Sequence, residues 1–271
     1  MTENENSGWE DDLTAELYDK FAQEFPMYRQ TSRDLVKLVG LQKGMTIVDL
    51  ACGVGTTTQE ILYHIGNTGK VYAVDLSAAM LTQAKKHITA ANVDFVQSPA
   101  EELDQVIKPE VDVVVSNSAV WQLDLEETLK AVGKVLKPGG KFAFNIPGQF
   151  FRFTRPDPRA RIISLPVWMY AFASSRYGLK DTGYRQQQVL NAQMIEEAAQ
   201  KAQLSLVTSK ELTYDRTDLE VYEFERIPVM TKKLLPGLDY KTRMDILDLA
   251  YAKLDKTIKY PSRWMFFILQ K

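Results

Sequence analysis

Short apolar runs alternate with amphipathic segments from about residue 45 to residue 147 of this chain. The runs are rich in Val, Ile and Phe, which is typical of strands buried on both faces of a parallel sheet. Between them, apolar residues recur at helical spacing, as in Met80, Ala84 and Ile88. This strict alternation predicts an open, doubly wound α/β sheet with right-handed crossovers. The predicted strands are 45–51, 70–76, 93–98, 111–117 and 141–147.

The segments on either side of this region are also patterned, although less regularly. Two helices are predicted before it, at 13–25 and 31–40, and Thr31 or Ser32 is able to cap the second. Ser77 is well placed to cap the helix that follows the second strand. Later in the chain the pattern predicts helices at 191–203 and 218–258 and strands at 205–215 and 263–269.

Composition and charge narrow the classes of function. Hydrophobic residues make up 45% and charged residues 25% of the chain, as in ordinary soluble enzymes, and Lys plus Arg (33) nearly balances Asp plus Glu (35). This balance predicts no nucleic-acid partner. One cysteine and two histidines argue against a disulfide framework and against a zinc site, so no metal is expected.

The two ends of the chain bear on its location. The first twelve residues, MTENENSGWEDD, are acidic and polar, unlike a signal peptide. The apolar run WMFFIL (264–269) is too short to span a bilayer. We expect a cytoplasmic protein without a membrane span, and the pattern leaves its oligomeric state open.

A glycine-rich turn follows the first predicted strand, in TIVDLACGVGTTT (46–58). Gly53 and Gly55 match the first two glycines of a dinucleotide fingerprint, but Thr58 takes the place of the third. Asp49 would repel a pyrophosphate docked at the following helix N-terminus. A carboxylate there suits a ligand with an ammonium group and no phosphate, such as S-adenosylmethionine.

A second acid lies at the end of the next strand. Asp75 follows Gly55 by 20 residues, which is where a carboxylate commonly accepts hydrogen bonds from ribose hydroxyls. Such a residue serves NAD and S-adenosylmethionine equally, so it indicates an adenosine. Together, Asp49, the two glycines and Asp75 favour S-adenosylmethionine.

Three segments carry a family resemblance: VDLACGVGTTT, AVDLSAAMLTQA and VLKPGGKFAF. The chain resembles class I S-adenosylmethionine-dependent methyltransferases, especially the small-molecule enzymes around the ubiquinone/menaquinone and biotin-precursor methyltransferases. The likeness covers 45–147 well and 191–212 loosely. It implies that the cofactor contacts are Tyr18, Tyr28, Asp49, Ala51, Cys52, Gly53, Gly55, Asp75, Leu76, Met80, Ser98, Pro99, Ala100, Asn117 and Ser118. Where family members often carry an acid for the adenine edge this chain has Pro99, so Ser98 or Glu101 is expected to take that role.

The resemblance also implies the complete fold and its divisions. We expect a seven-stranded, mostly parallel sheet of the Rossmann-like methyltransferase type, with an antiparallel last strand and helical cap insertions over the carboxyl ends of the strands. The expected divisions are an N-terminal helical arm over the cofactor (1–40), the cofactor core (41–147), an aromatic and basic insertion (148–190), a return to the core (191–217), a helical lid (218–261) and the last strand (262–271).

The implied activity is methyl transfer to a small, fairly hydrophobic acceptor, such as a secondary metabolite, a quinone-like compound or an amine. Many relatives place a histidine after strand four, but this chain has AVWQLD there, which favours catalysis by positioning and desolvation. The catalytic candidates are Trp121, Gln122, Tyr18 and Tyr184. The arginines of 152–161 fit a solvated cap surface better than an anion site.

Three other functions stay open at this point. A protein that binds S-adenosylmethionine without transferring its methyl group has the same loop. A nicotinamide-dependent oxidoreductase uses the same sheet, although Asp49, Thr58 and the lack of a Tyr-x-x-x-Lys pair after strand four count against it. RNA or protein methylation is disfavoured by the near-neutral charge and by the lack of an appended binding domain.

Overall fold

A seven-stranded sheet forms the centre of the protein, in the order β3-β2-β1-β4-β5-β7-β6. The computed structural model describes residues 8–108, 110–155, 165–180 and 189–271. β7 pairs antiparallel with both β5 and β6, while the neighbouring strands from β3 to β5 are parallel. The expected doubly wound, mostly parallel sheet is therefore confirmed. Its strands are β1 (Thr46–Leu50), β2 (Lys70–Asp75), β3 (Val93–Gln97), β4 (Val111–Ser116), β5 (Leu136–Pro147), β6 (Ser205–Thr217) and β7 (Lys259–Gln270).

Helices cover both faces of this sheet because side chains alternate along each strand. On one face Ile47 packs with Leu35 and Ile61, and on the other Val48 packs with Leu129. The helices of the described residues are α1 (Asp12–Glu24), α2 (Met27–Val39), α3 (Thr56–Ile65), α4 (Ala78–His87), α5 (Leu103–Val106), α6 (Leu125–Val135), α7 (Leu165–Tyr177), α8 (Ala192–Lys201), α9 (Asp218–Glu225), α10 (Pro228–Leu234) and α11 (Tyr240–Tyr251).

One of the two expected helix starts is correct. Ser77 caps α4, and its Oγ accepts a hydrogen bond from the Met80 N–H at 3.1 Å. The expected cap at Thr31 or Ser32 is wrong, because α2 begins at Met27, directly after Pro26. Thr31 lies inside that helix and donates back to the Met27 carbonyl, a bond that is compatible with a helix interior.

Additional helices stand over the carboxyl edge of the parallel strands. α9, α10 and α11 all lie between β6 and β7, and α7 packs on α11 through Met169 and Ile246. The N-terminal helix α1 packs beside α4, with Ala15 against Ala79 and Met80. These helices turn an open sheet edge into an enclosed space. Among the described helices, none combines the length and the apolar character required to cross a lipid bilayer.

The loop after β1 is tightly packed around Gly55. Its φ is +85°, and a Cβ there would stand 2.5 Å from Ile88 Cδ1 and 3.3 Å from Ala84 Cβ. Gly40 has a similar φ of +76° with nothing within 4 Å of such a Cβ, so it is a matched control for backbone strain alone. We expect Gly40→Ala to lower the free energy of unfolding by about 1 kcal/mol and Gly55→Ala by roughly 1–3 kcal/mol more. Equal losses in urea unfolding would contradict this packing.

Candidate functional site

A cavity lies at the carboxyl ends of the parallel strands, between the sheet and the additional helices. Its volume is about 150 Å³, and it opens to solvent. Most of the site residues expected from the sequence line it: Tyr18, Tyr28, Ala51, Gly53, Asp75, Leu76, Met80, Ser98, Pro99, Ala100, Asn117, Ser118, Trp121 and Gln122. Asp49, Cys52 and Gly55 do not line it, and Tyr184 lies outside the described residues.

Two turns with an unusual backbone form the floor of this cavity. Ala51 after β1 has a φ of 55° and Ser118 after β4 has a φ of 62°, a left-handed conformation that residues with a Cβ seldom adopt. Gln203 is the only other such non-glycine residue in the described part of the chain. Strained backbone of this kind is concentrated at ligand sites, which supports a binding role for both turns.

Asp75 holds the first of these turns in place. Its Oδ2 accepts the Gly53 N–H at 2.7 Å and its Oδ1 accepts the Ser77 N–H at 2.9 Å. Burial raises the pKa of Asp75, while the two backbone donors oppose that rise. Each carboxylate oxygen has two lone pairs, so both keep acceptor capacity toward the cavity. This arrangement suits two neighbouring hydroxyls of a ribose.

Asp49 lies behind the loop and is only 1% exposed. Its Oδ2 accepts a 2.5 Å hydrogen bond from the Thr58 hydroxyl, while its Oδ1 is buried without a partner. Burial raises the pKa of Asp49 to about 7, and the Thr58 hydrogen bond limits the rise. Its direct contact with the cofactor therefore stays a prediction, and the observed contact is a brace between β1 and α3.

Cys52 and Gly55 share this position beneath the loop. Burial raises the pKa of the Cys52 thiol well above its ordinary value, so the thiol stays protonated and is a poor nucleophile. Gly55 allows close packing on the C-terminal end of α4, because a Cβ at this position would lie only 2.5 Å from Ile88 Cδ1.

A buried chain of polar side chains fixes the second turn. The Asn117 amide donates to Ser32 Oγ at 3.0 Å and accepts from Asn145 Nδ2 at 2.7 Å. Asn145 in turn accepts the Ser118 N–H at 2.8 Å, and Ser32 meets Thr57 Oγ1 at 2.8 Å. The end of β4 is thus tied to α2, α3 and β5, and this satisfied network gives a rigid wall at the position expected for the methionine portion.

The expected adenine side of the cavity is small and partly apolar. The Ser98 hydroxyl donates to its neighbour's carbonyl, at Pro99, and a Glu101 oxygen accepts the Asp124 N–H at 3.0 Å. Both side chains therefore keep lone pairs that could accept from an amine. Leu76 and Met80 line the same side.

Three separate segments meet over the cavity at Gln122. Its Oε1 accepts from Trp9 Nε1 at 3.1 Å and from Lys233 Nζ at 3.0 Å. Because both partners are donors, they fix which way the amide faces. Trp121 beside it is stacked on Phe150, with ring centroids 3.4 Å apart. Its indole N–H is used by the Ser118 carbonyl, so toward the cavity it offers an apolar wall.

Two tyrosines from the N-terminal helices stand beside the loop. The rings of Tyr18 and Tyr28 are 5.3 Å apart. Burial raises both pKa values, and for Tyr18 the neighbouring Tyr28 and Asp75 raise it further. Tyr18 is therefore protonated at neutral pH, where it acts as a hydrogen-bond donor and not as a base.

Several lining residues carry no signal that sequence reasoning could use. These residues come from distant elements: Trp9 from the start of the described chain, Phe224 from α9, Met230 from α10, Arg216 from β6 and Trp264 from β7. None belongs to a motif. Within the described residues, no three His, Cys, Asp or Glu side chains form a group that could hold a metal ion.

Comparison with known proteins agrees with this geometry. Residues 47–140 match the family model described as a methyltransferase domain. The chain carries a class I methyltransferase domain. Its cofactor is S-adenosylmethionine, and the resemblance recognised from the three sequence motifs is confirmed.

Individual relatives of the methyltransferase domain are distant. The ubiquinone/menaquinone biosynthesis C-methyltransferase UbiE of Enterobacter sp. (strain 638) is 30% identical over 121 residues, which is 43% of this chain and 48% of that protein. UbiE of Klebsiella pneumoniae (strain 342) gives the same values. The chain thus spans about half the length of the curated relatives that it matches.

Solved structures share the fold over more of the chain. The phosphoethanolamine N-methyltransferase 2 of Haemonchus contortus, in complex with phosphomonomethylethanolamine and S-adenosylhomocysteine, has a TM-score of 0.56 and 20% identity, covering 97% of this chain and 60% of that one. The geranyl diphosphate C-methyltransferase of Streptomyces coelicolor A3(2) has a TM-score of 0.53 and 14% identity, covering 89% and 75%. At these identities the likeness is one of fold.

Asp75 is the residue whose loss should most weaken binding at this domain. We expect Asp75→Asn to lower the affinity for S-adenosylhomocysteine by about 10- to 100-fold, because a charged acceptor of hydrogen bonds is lost. Isothermal titration calorimetry measures this, with NADH as a second ligand. Asp94→Asn is the control, since Asp94 is half exposed on β3, pairs with Lys70 and does not line the cavity. Unchanged affinity in Asp75→Asn would exclude the ribose contact.

Asp49 should make stability depend on pH in the ligand-free protein. Its pKa is raised in the folded state, so its contribution is fully present below about pH 4 and is lost as the pH rises toward 7. Between pH 5 and pH 8 we expect the free energy of unfolding to fall by about 2–3 kcal/mol more in the natural protein than in Asp49→Asn. Urea unfolding at the two pH values measures this difference. Parallel pH profiles would show that Asp49 is already ionised at pH 5.

Proposed function

We propose that the protein transfers a methyl group from S-adenosylmethionine to a small, fairly hydrophobic acceptor. The observation that carries this proposal is one cavity lined by two unlike sets of residues. Asp75 and the strained Ala51 turn lie at the ends of β2 and β1, whereas Phe224, Met230 and Trp264 come from α9, α10 and β7, and β7 lies beyond β4 and β5 in the sheet. The first set suits an adenosine, and the second suits an apolar molecule.

The residues at hand are suited to hold the cofactor. Asp75 would accept the ribose hydroxyls, Leu76 and Met80 would pack beside the adenosine, and the Asn117–Asn145 wall would bound the methionine portion. Gly53 has a φ of +55° and lets the backbone of the loop lie close to the ligand. When bound, S-adenosylmethionine supplies a methyl carbon already activated by its sulfonium.

Catalysis would then rest on alignment and on the exclusion of water. The Trp121–Phe150 stack and the Trp9–Gln122–Lys233 contacts close the cavity from above. Neither His64 nor His87 lines it, and His87 is held by Asp19 at 2.8 Å. Because neither histidine lines the cavity and Tyr18 is protonated at neutral pH, we favour an acceptor whose nucleophile needs no deprotonation, such as an amine.

The size of the acceptor is supported by the neighbours in fold. The Haemonchus enzyme binds phosphomonomethylethanolamine, and the Streptomyces enzyme is a geranyl diphosphate C-methyltransferase. Both names describe small molecules. Enclosure by α9, α10 and the N-terminal segment supports a small acceptor here as well.

A labelled-methyl assay tests the proposal. The protein is incubated with S-adenosylmethionine carrying a tritiated methyl group, together with separate small-molecule, RNA and protein fractions of a cell extract. We expect label to enter the small-molecule fraction, with a rate at least tenfold lower for Asp75→Asn than for Asp94→Asn.

Two results would contradict the proposal. Label appearing only in RNA or protein would place the acceptor in another class. S-adenosylhomocysteine binding without any transfer would favour a protein that binds the cofactor in a non-methylating role.

A further inference from the structure

Arg216 is a buried cation in the cavity wall whose guanidinium forms no ion pair among the described residues. It is the last residue but one of β6, lines the cavity and is only 8% exposed. Its Nε and Nη2 are buried without a hydrogen-bond partner. In the described part of the chain, no carboxylate lies within ion-pair distance of it. A buried, unpaired guanidinium is costly, so such a group calls for an anion from outside the protein.

A buried acid that interacts with Arg216 does not meet this need. Glu225 is buried and interacts with Arg216 electrostatically, but its Oε2 has no partner and the two side chains form no ion pair. Burial raises the pKa of Glu225 to about 8, although the Arg216 charge opposes the rise. Glu225 therefore leaves Nε and Nη2 of Arg216 without a hydrogen-bond partner.

The position of Arg216 in the sheet separates it from the cofactor end. In the order β3-β2-β1-β4-β5-β7-β6, β6 lies three places beyond β4. At ~4.8 Å per strand, the axes of these two strands are roughly 14 Å apart. The turns after β1 and β4 are where the methionine portion is expected. Tyr28 interacts with both regions, since a hydrogen bond with Ser118 and the Arg216 charge both oppose the rise of its pKa. The guanidinium thus belongs to the β6 and β7 side of the cavity, which the proposed function assigns to the acceptor.

The surroundings of Arg216 describe the rest of the ligand. Phe224 lies under the guanidinium, with 6.0 Å between the ring centroid and Cζ, and Trp264 and Met230 line the same part of the cavity. We propose that Arg216 binds an oxyanion, a carboxylate or a phosphate, carried by the acceptor. The inference rests on the proposed function and deepens it, because the acceptor then has an apolar body with one anionic end.

The proposal has a direct binding test on the full chain. The protein is saturated with S-adenosylhomocysteine and titrated with benzoate, phenyl phosphate and the neutral analogue benzyl alcohol. We expect at least one anion to bind at least tenfold more tightly than benzyl alcohol. Arg216→Gln should abolish that preference, and Arg216→Lys, which keeps the charge but not the planar fork, should retain part of it.

A second buried arginine provides the matched control. Arg243 on α11 is 6% exposed, has an unpartnered Nε and lies over Tyr240, but it does not line the cavity. Arg243→Gln should leave the anion preference unchanged. Thermal unfolding of both variants separates loss of binding from loss of folding, since Arg216→Gln removes a buried charge that forms no ion pair and should not unfold the protein.

Cofactor titrations show whether Arg216 binds an anion of the acceptor or the amino-acid carboxylate of the cofactor. We expect Arg216→Gln to bind S-adenosylhomocysteine within threefold of the natural protein. If it loses affinity for S-adenosylhomocysteine but not for methylthioadenosine, which lacks the amino acid, Arg216 serves the cofactor and the inference is overturned. Anions that bind no better than benzyl alcohol overturn it as well and leave the proposed function standing. Failure of the natural protein to bind S-adenosylhomocysteine removes the proposed function itself.

Discussion

The contact between the Asp75 carboxylate and the backbone of Gly53 is the interaction on which the rest of the site depends. It joins the end of β2 to the loop after β1, while the second oxygen of Asp75 holds the Ser77 N–H beside the start of α4. One charged group thus sets a loop, a strand end and a helix start. Backbone donors replace the water that a half-buried carboxylate would otherwise require, and the remaining lone pairs stay available to a ligand.

Much of the fold was accessible to sequence reasoning because its first half is locally regular. β1 to β4 are short, β1 to β5 are rich in apolar residues, and helices separate them, so each strand can be recognised from its own segment. The seventh strand and its place between β5 and β6 came from family resemblance, since no local pattern specifies which strands become neighbours. The misplaced cap of α2 arose because Thr31 and Ser32 are good capping residues that here serve packing inside the helix.

Asp49 shows what strand alternation predicts about the direction of a side chain. Side chains alternate along β1, so Asp49 lies on the same side as Ile47, against α3, where the Thr58 hydroxyl meets it. Strand alternation alone would have predicted that placement. By contrast, Trp9, Gln122 and Lys233 come together from positions more than a hundred residues apart, and Arg216 is a lone arginine in a polar strand. The arginines of 152–161 are clustered and therefore easier to notice in the sequence, but Arg152 and Arg155 are exposed and the others lie outside the described residues.

The place of β7 in the sheet has a consequence for the order in which the two ends of the cavity form. β1, β2 and β3 follow one another along the chain and pair directly, so the turn around Ala51 is held by Asp75 from only 22 residues after Gly53. The Ser118 turn also needs Ser32, which lies 85 residues before Asn117. β6 touches the sheet only through β7, and Phe144 of β5 must find Phe267 of β7 far along the chain. Long-range pairing of this kind is slow, because loop closure precedes any gain from contact. The turn that Asp75 holds therefore rests on short-range contacts, whereas Arg216 takes its place only when β7 has paired with both β5 and β6.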